Sequence, residues 1–307
     1  MPRLTHRRGD PHIWPGRIGA APIGVRLVSR GVSWLPWPLA GEVMAALGVA
    51  HALARPDRLR RAWRWAASQP GPRRPWSLVC SLFAHHGRFI AWGALAGIPD
   101  PDALRRRVRV EGLDRWNRIA SAGGAILLGF HLGPPGVALG LRALGHDVVS
   151  LARPESSLRP SGPQWEPLLR SAHRVSISGA EPAERVRGLH EATRLVAEGR
   201  TIYVTADGPL GRAAFEIPLP GRPAVLRAGW LALRRHTGAP TLPTLSRHDG
   251  SDQIITIHEP LPPVDPDPDR DAAACRDALS PLLADYLRRL PEQCRFLAFW
   301  ADEGAGR

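Results

Sequence analysis

Apolar positions change their spacing along this chain. Before about residue 100 they recur at helical intervals. Across Trp34 to Ala54, the residues Leu39, Val43, Ala46, Leu47, Ala50 and Leu53 share one helical face, although Pro36, Pro38, Glu42 and His51 interrupt the run. A second helix is expected from Trp76 to Ile98, carrying Leu78, Leu82, Phe89, Trp92 and Leu95, with His85, His86 and Arg88 in its middle. Those polar residues argue against a bilayer span, which takes about 20 predominantly apolar residues. His85 and His86 are adjacent, so they leave a helix on different sides and make a poor metal pair; they read as structural or surface residues.

From about Arg107 short apolar runs alternate with helical stretches. Ala125 to Phe130 is an unbroken apolar run of the kind a buried strand shows, followed by a helix from Val137 to Leu144 and a strand from Val148 to Leu151. Val175 to Ser178 reads as a further strand, and Ala183 to Glu198 as a helix closed by Gly199. Thr201 to Thr205 is the clearest strand by residue type, being mostly β-branched or aromatic. A Pro/Gly loop, a helix near Ala224 to His236, an apolar segment from Thr241 to Leu245 and a strand at Ile254 to Ile257 follow. Val264 to Asp269 reads as an exposed loop and Asp271 to Leu290 as the last helix. The expectation is an α/β fold with a central, mostly parallel sheet flanked by helices and an N-terminal amphipathic helical region. An arm and membrane-associating helices would occupy residues 1–100 and the α/β domain residues 101–307.

Charge sharpens the N-terminal part. The chain has 41 Lys+Arg against 28 Asp+Glu, a net charge of +13, and every basic residue is arginine. With 31 Gly and 32 Pro, that skew reads as coding bias as much as a binding surface, yet the positive field favours anionic lipids, acidic carriers or phosphorylated substrates. Arg55, Arg58, Arg60, Arg61 and Arg64 follow the first apolar face directly, with Trp63 and Trp65 among them. Such a group suits a helix lying in a membrane interface, where indoles sit at headgroup depth and guanidinium groups meet phosphate. It equally suits a core helix with a solvated charged end. Cys80, Cys275 and Cys294 are far apart, with neither disulfide nor zinc spacing, which fits a reducing setting. The first thirty residues lack the apolar run of a cleaved secretory signal.

Candidate chemistry lies where loops leave the carboxyl ends of strands. One such loop is Gly129-Phe130-His131-Leu132-Gly133-Pro134-Pro135-Gly136, with a histidine directly after a buried strand and before a helix; the other, Ala206-Asp207-Gly208-Pro209-Leu210-Gly211-Arg212, follows the second strong strand. A lone histidine is commonly a packing residue, and Asp-Gly-Pro is a good turn in its own right. A Gly-x-Ser-x-Gly elbow, a dinucleotide fingerprint and a P-loop are all absent, and no recognised nucleic-acid module occurs.

The two loops and their neighbours resemble the lysophospholipid acyltransferase superfamily, within it the lipid A biosynthesis (lauroyl/myristoyl) acyltransferase branch. The similarity begins at Arg109-Val110-Glu111-Gly112-Leu113, continues through the Gly-Phe-His-Leu-Gly block and Leu151-Ala152-Arg153-Pro154, and includes Val204-Thr205-Ala206-Asp207-Gly208-Pro209. Pro220-Gly221-Arg222, His236-Thr237-Gly238-Ala239-Pro240 and Pro291-Glu292-Gln293 extend it over roughly residues 40 to 300. The resemblance implies a glycerolipid acyltransferase-like fold and transfer of a fatty acyl group from an acyl-CoA or acyl carrier protein (acyl-ACP) thioester to a hydroxyl of a lipid or glycolipid acceptor. It implies His131 as general base and Gly133, Arg153, Gly208, Pro209 and Arg222 as substrate-binding residues, with Arg153 or Arg222 suited to an acceptor phosphate. No metal or redox cofactor follows from it, and nucleic acid is not among the partners. The place would be peripheral, on the cytoplasmic face of the cell membrane.

One position departs from the pattern. Members carry an acid five positions after the histidine, where the carboxylate orients the imidazole, and this chain has Gly136 there. Asp207 is the first substitute, Asp147 and Glu155 the others. If none reaches His131, the alternative is a catalytically degenerate, lipid-binding peripheral membrane protein of the same fold.

Overall fold

The computed structural model describes residues 34–71, 73–93, 98–151, 182–207, 213–221 and 223–294, with Val32, Leu95, Trp165, Leu168, Arg174, Val175 and Leu297. Three N-terminal helices, α1 (Trp37–Leu53), α2 (Pro56–Ser68) and α3 (Pro75–Gly93), precede the α/β part. In chain order there follow α4 (Pro101–Arg105), β1 (Val108–Glu111), α5 (Leu113–Ser121), β2 (Ala125–Gly129), α6 (Val137–Ala143), β3 (Val148–Leu151), β4 (Arg174–Val175) and α7 (Pro182–Ala197). The remaining elements are β5 (Thr201–Thr205), β6 (Ala213–Ile217), β7 (Ala224–Arg227), α8 (Ala228–Thr237), β8 (Thr241–Asp249), β9 (Asp252–Ile257), α9 (Pro268–Arg289) and a 3-10 turn at Pro291–Gln293.

The main sheet has seven strands in the order β1-β9-β8-β2-β5-β3-β4, parallel except for the β8–β9 hairpin. Its central strand, β2, is buried along its whole length because helices cover both faces. Ile126 and Leu128 enter one core with Ile202, Val204, Trp230 and Leu283, whereas Ala125 and Leu127 enter the other with Trp116, Leu141, Val148 and Ile255. Strand alternation thus divides one apolar run between two cores.

The N-terminal helices contribute to both cores: Ala62, Trp65, Leu78, Leu82 and Phe83 pack in the first, and Trp37, Met44, Ala91 and Trp92 in the second. They therefore share their packing with the α/β layers. Helix α1 turns its small residues Ala40, Gly41, Ala45 and Gly48 inward, where a Cβ on Gly87 of α3 would come within 1.8 Å of the Met44 carbonyl oxygen. The residues expected to share one apolar face lie on the opposite side: Leu39, Ala46, Leu47, Ala50 and Leu53 are exposed and Val43 is half-buried.

The expected helix from Ala224 to His236 is in fact two elements. Ala224–Arg227 forms β7, antiparallel to β6 in a stretch that composition alone makes a loop, and α8 begins only at Ala228. Leu226 is wholly buried there, so packing in the hairpin outweighs its helix propensity. The last helix starts at Pro268, three residues earlier than its apolar pattern predicts, because the Asp267 carboxylate accepts from the N–H groups of Asp269 and Arg270.

Candidate active site

The sheet register brings the two loops together. Strands β2 and β5 run parallel with Gly129 opposite Thr205, so His131 and Asp207 both lie two residues beyond a paired position. The Ala206 N–H donates to the Gly129 carbonyl at 2.8 Å, keeping the loops adjacent as they leave the sheet. Asp207 also bridges to Leu226 of β7, which fixes it from the other side. This is the carboxyl edge of a parallel region, beside the central strand.

The Asp207 carboxylate accepts the His131 backbone N–H at 3.0 Å on each oxygen and lies 2.9 Å from His131 Nδ1. Its side chain is 6% exposed, whereas that of His131 is 21% exposed. A carboxylate on Nδ1 selects the tautomer protonated there, leaving Nε2 as the basic nitrogen and stabilising the imidazolium formed when Nε2 takes a proton. The pair is therefore equipped for general base chemistry. Asp207, not a residue in the helix after the histidine, is the acid in contact with His131.

Of the other acids considered, Asp147 is engaged by Arg200 at 2.7 Å, and Glu155 lies outside the described residues. Gly136 caps α6 with a φ of 82°. Gly133 takes a φ of 64° and is tightly seated: a Cβ there would fall 1.9 Å from the Ser246 carbonyl oxygen. Its N–H donates to the Gln293 carbonyl at 3.2 Å, so this amide is committed to holding the loop. Arg153, Gly208, Pro209 and Arg222 lie outside the described residues.

Three neighbours escape a reading of the sequence alone. Tyr203 lies on β5 at the level of Leu127, but its ring leans against Gly129, where a Cβ would sit 2.1 Å from the phenol oxygen. Its hydroxyl makes no hydrogen bond among the described residues, and burial, helped by the Asp207 charge, raises its pKa. Arg227 donates its backbone N–H to the Ala206 carbonyl at 2.7 Å, and partial burial lowers its pKa against the pull of Asp207. Gln253, wholly buried, donates to Ser246 Oγ at 2.9 Å and points its amide at the Pro134 and Pro135 carbonyls at 3.4 Å. Tyr203 is placed by the pairing of β5 with β2, which only the folded sheet shows, and nothing local marks Arg227 or Gln253.

Beside Asp207 an apolar pocket is walled by Phe130, Leu132, Leu226, Leu283, Leu287 and Cys294. Its free space is about 10 Å³, room for about one water, so anything larger enters only as these side chains move apart.

The N-terminal helices sit at this same end of the sheet. Trp92 of α3 packs edge-on to His248 near the end of β8, with ring centres 5.9 Å apart, and Trp37 donates to the Ser251 carbonyl in the β8–β9 turn at 2.7 Å. Outward from them project Trp34 (89% exposed), Leu53 (62%), Leu39 (50%) and Leu47 (40%). Trp63 and Trp76 are exposed and in contact with each other, and Arg55, Arg60 and Arg64 are exposed nearby in sequence. Among the described residues no single helix is long and apolar enough to cross a membrane; α1 and α2 meet that test only as a pair bent by 102°.

Comparison with curated proteins returns no match. The family model of the bacterial lipid A biosynthesis acyltransferases, in contrast, matches residues 21–298, which span every strand and helix described above. The fold, the histidine after the central strand and this match agree, and the chain belongs to the bacterial lipid A biosynthesis acyltransferase family.

Proposed function

We propose that the protein transfers a fatty acyl group from a thioester, on coenzyme A or acyl carrier protein, to a hydroxyl of a lipid or glycolipid at the cytoplasmic face of the cell membrane. The observation that carries this reading is the 2.9 Å contact between His131 Nδ1 and Asp207 at the carboxyl edge of the sheet. Nε2 of His131 removes the acceptor hydroxyl proton as the oxygen attacks the thioester carbon. The tetrahedral intermediate then collapses, the C–S bond breaks, and the imidazolium returns the proton to the leaving thiolate. Asp207 holds the ring and balances its charge throughout. The Tyr203 hydroxyl, uncommitted within the described residues, offers a neutral donor to the substrate near Gly129. The apolar pocket beside Asp207 is where an acyl chain enters.

Membrane attachment rests on the outward face of α1. A soluble helix normally keeps its large apolar residues on its buried side; here Trp37 and Met44 face in with Ala40, Ala45 and Gly48, but Leu39, Leu47 and Leu53 face out. With the exposed Trp34, Trp63 and Trp76 and the exposed arginines around α2, this face suits insertion among anionic headgroups.

Labelled acyl-CoA and acyl-ACP, each incubated with a glycolipid extract, test the reading. Wild-type protein is expected to label lipid with one donor and His131→Ala with neither. Absence of labelling by wild type with both donors contradicts it.

A further inference from the structure

Strand β2 ends at Gly129, but β8 beside it continues to Asp249, so beyond Thr244 one edge of β8 has no strand partner among the described residues. Three groups on that edge are nevertheless paired. Tyr286 of α9 donates its hydroxyl to the Ser246 carbonyl at 2.7 Å. At His248 the side-chain amide of Gln293 pairs both ways: its oxygen accepts the His248 N–H at 2.8 Å, and its nitrogen donates to the His248 carbonyl at 3.2 Å. A carboxamide carries the donor and acceptor of a peptide group, so Gln293 stands in for one residue of the missing strand.

The same residue reaches the catalytic loop. The Gln293 main-chain carbonyl accepts the Gly133 N–H at 3.2 Å, two residues after His131. Gly133 is further seated on the Ser246 carbonyl, close enough that no Cβ fits. Gln293 is itself 5% exposed, and Arg73 pins the same turn through a contact with Glu292. On the other side of the loop, the Gln253 amide points at the Pro134 and Pro135 carbonyls.

We propose that Gln293 is a positioning residue for His131: its side chain docks the C-terminal Pro-Glu-Gln turn on the free edge of β8, and its carbonyl holds the His131 loop in register with Asp207. This rests on His131 acting as the base. Gln293 does not touch substrate; it governs how often the imidazole is aimed productively, so it acts on turnover more than on substrate binding. Misplacing a catalytic group by about 1 Å can cost about 100-fold in rate.

The test pairs kinetics with a measurement that needs no activity. Gln293→Glu keeps the size and the acceptor but cannot donate to the His248 carbonyl, and Gln293→Met keeps the size and neither function. Both are expected to lower kcat by about 10- to 100-fold while KM changes less than about threefold, with Glu retaining more activity than Met. In the wild-type protein, amide exchange at Gly133 should be slowed at least about 100-fold relative to an open loop. Rapid exchange at Gly133 in folded wild type, or unchanged kcat in both folded variants, overturns the proposal. Inactive wild type with a protected Gly133 would contradict the acyl-transfer reading while leaving the clamp in place; should the variants fail to fold, the wild-type exchange rate still decides.

Discussion

Asp207 meets His131 from the loop after a neighbouring strand, whereas the family pattern puts the acid five residues after the histidine. Gly136, at the usual position of the acid, has a left-handed backbone, and a Cβ there would meet nothing nearer than Leu139 Cβ at 4.0 Å. Space is therefore no obstacle to an acid, and backbone conformation is. Gly136→Asp is expected to lower stability by about 1 kcal/mol in denaturant unfolding, the usual cost of a side chain in the left-handed region. A second residue-scale prediction concerns His248, buried beside His85, with neither ring nitrogen in a well-formed hydrogen bond among the described residues. Burial, then the charges of His85 and Arg88, lowers its pKa to about 3, and a backbone contact from Asp252 opposes them only weakly. His85 is likewise lowered by burial and Arg88, against Glu292 and Glu42. The native state holds His248 neutral while the unfolded chain protonates it near 6.5, so stability is full above pH 6.5 and falls from there toward pH 3. Between pH 7 and 5 the loss from His248 is about 2 kcal/mol, and urea unfolding of His248→Phe should show that much less pH dependence. At this scale His131 and Asp207 were legible in the sequence because each directly follows a strong strand run. Gln253, Gln293 and Tyr203 were not, because their roles come from register and from a strand edge that only the folded sheet creates.

At the scale of elements, apolar spacing identified α1 without telling which side faces in. The sequence groups Leu39, Leu47 and Leu53 on one face, and helical periodicity alone would bury it. The opposite face wins because Gly87 lets α3 approach the α1 backbone so closely that no side chain fits at that crossing, while Trp37 of the same face packs on Trp92 of α3. Gly87→Ala is expected to cost about 2 to 3 kcal/mol, or to prevent folding, since the added methyl would overlap the Met44 carbonyl. Thermal unfolding of that variant measures it, and an unchanged Tm would show that the helices can separate at no cost. Strands β2 and β5 were plain in the sequence because they are buried on both faces and carry uninterrupted apolar or β-branched runs. The β6–β7 hairpin was hidden because prolines and glycines surround it and Val225-Leu226-Arg227 runs on into a helix without a break in composition.

Over the whole molecule, the charge of +13 takes meaning from where its arginines fall. Arg55, Arg60 and Arg64 are exposed in the stretch that carries the exposed Trp63 and directly follows the outward leucines of α1 in the chain, and α1 and α3 pack at the end of the sheet that carries His131 and Asp207. A lipid acceptor held in a membrane surface would thus meet the site without leaving that surface. Binding to anionic vesicles should weaken at least about tenfold in Leu47→Ser/Leu53→Ser, from lost apolar burial, and should also weaken with salt as the arginines are screened. Co-sedimentation checks both, and salt-insensitive binding would contradict the electrostatic part. Central to the proposed function is the claim that the acid two residues beyond β5 has taken over activation of the histidine after β2. Its most direct measurement is kcat of Asp207→Asn for lipid acylation, with unfolding followed in parallel. Asn keeps the shape and an acceptor for the His131 N–H but favours the wrong imidazole tautomer, so kcat should fall by about 10³- to 10⁴-fold with the fold intact. Wild-type turnover by folded Asp207→Asn would contradict the account.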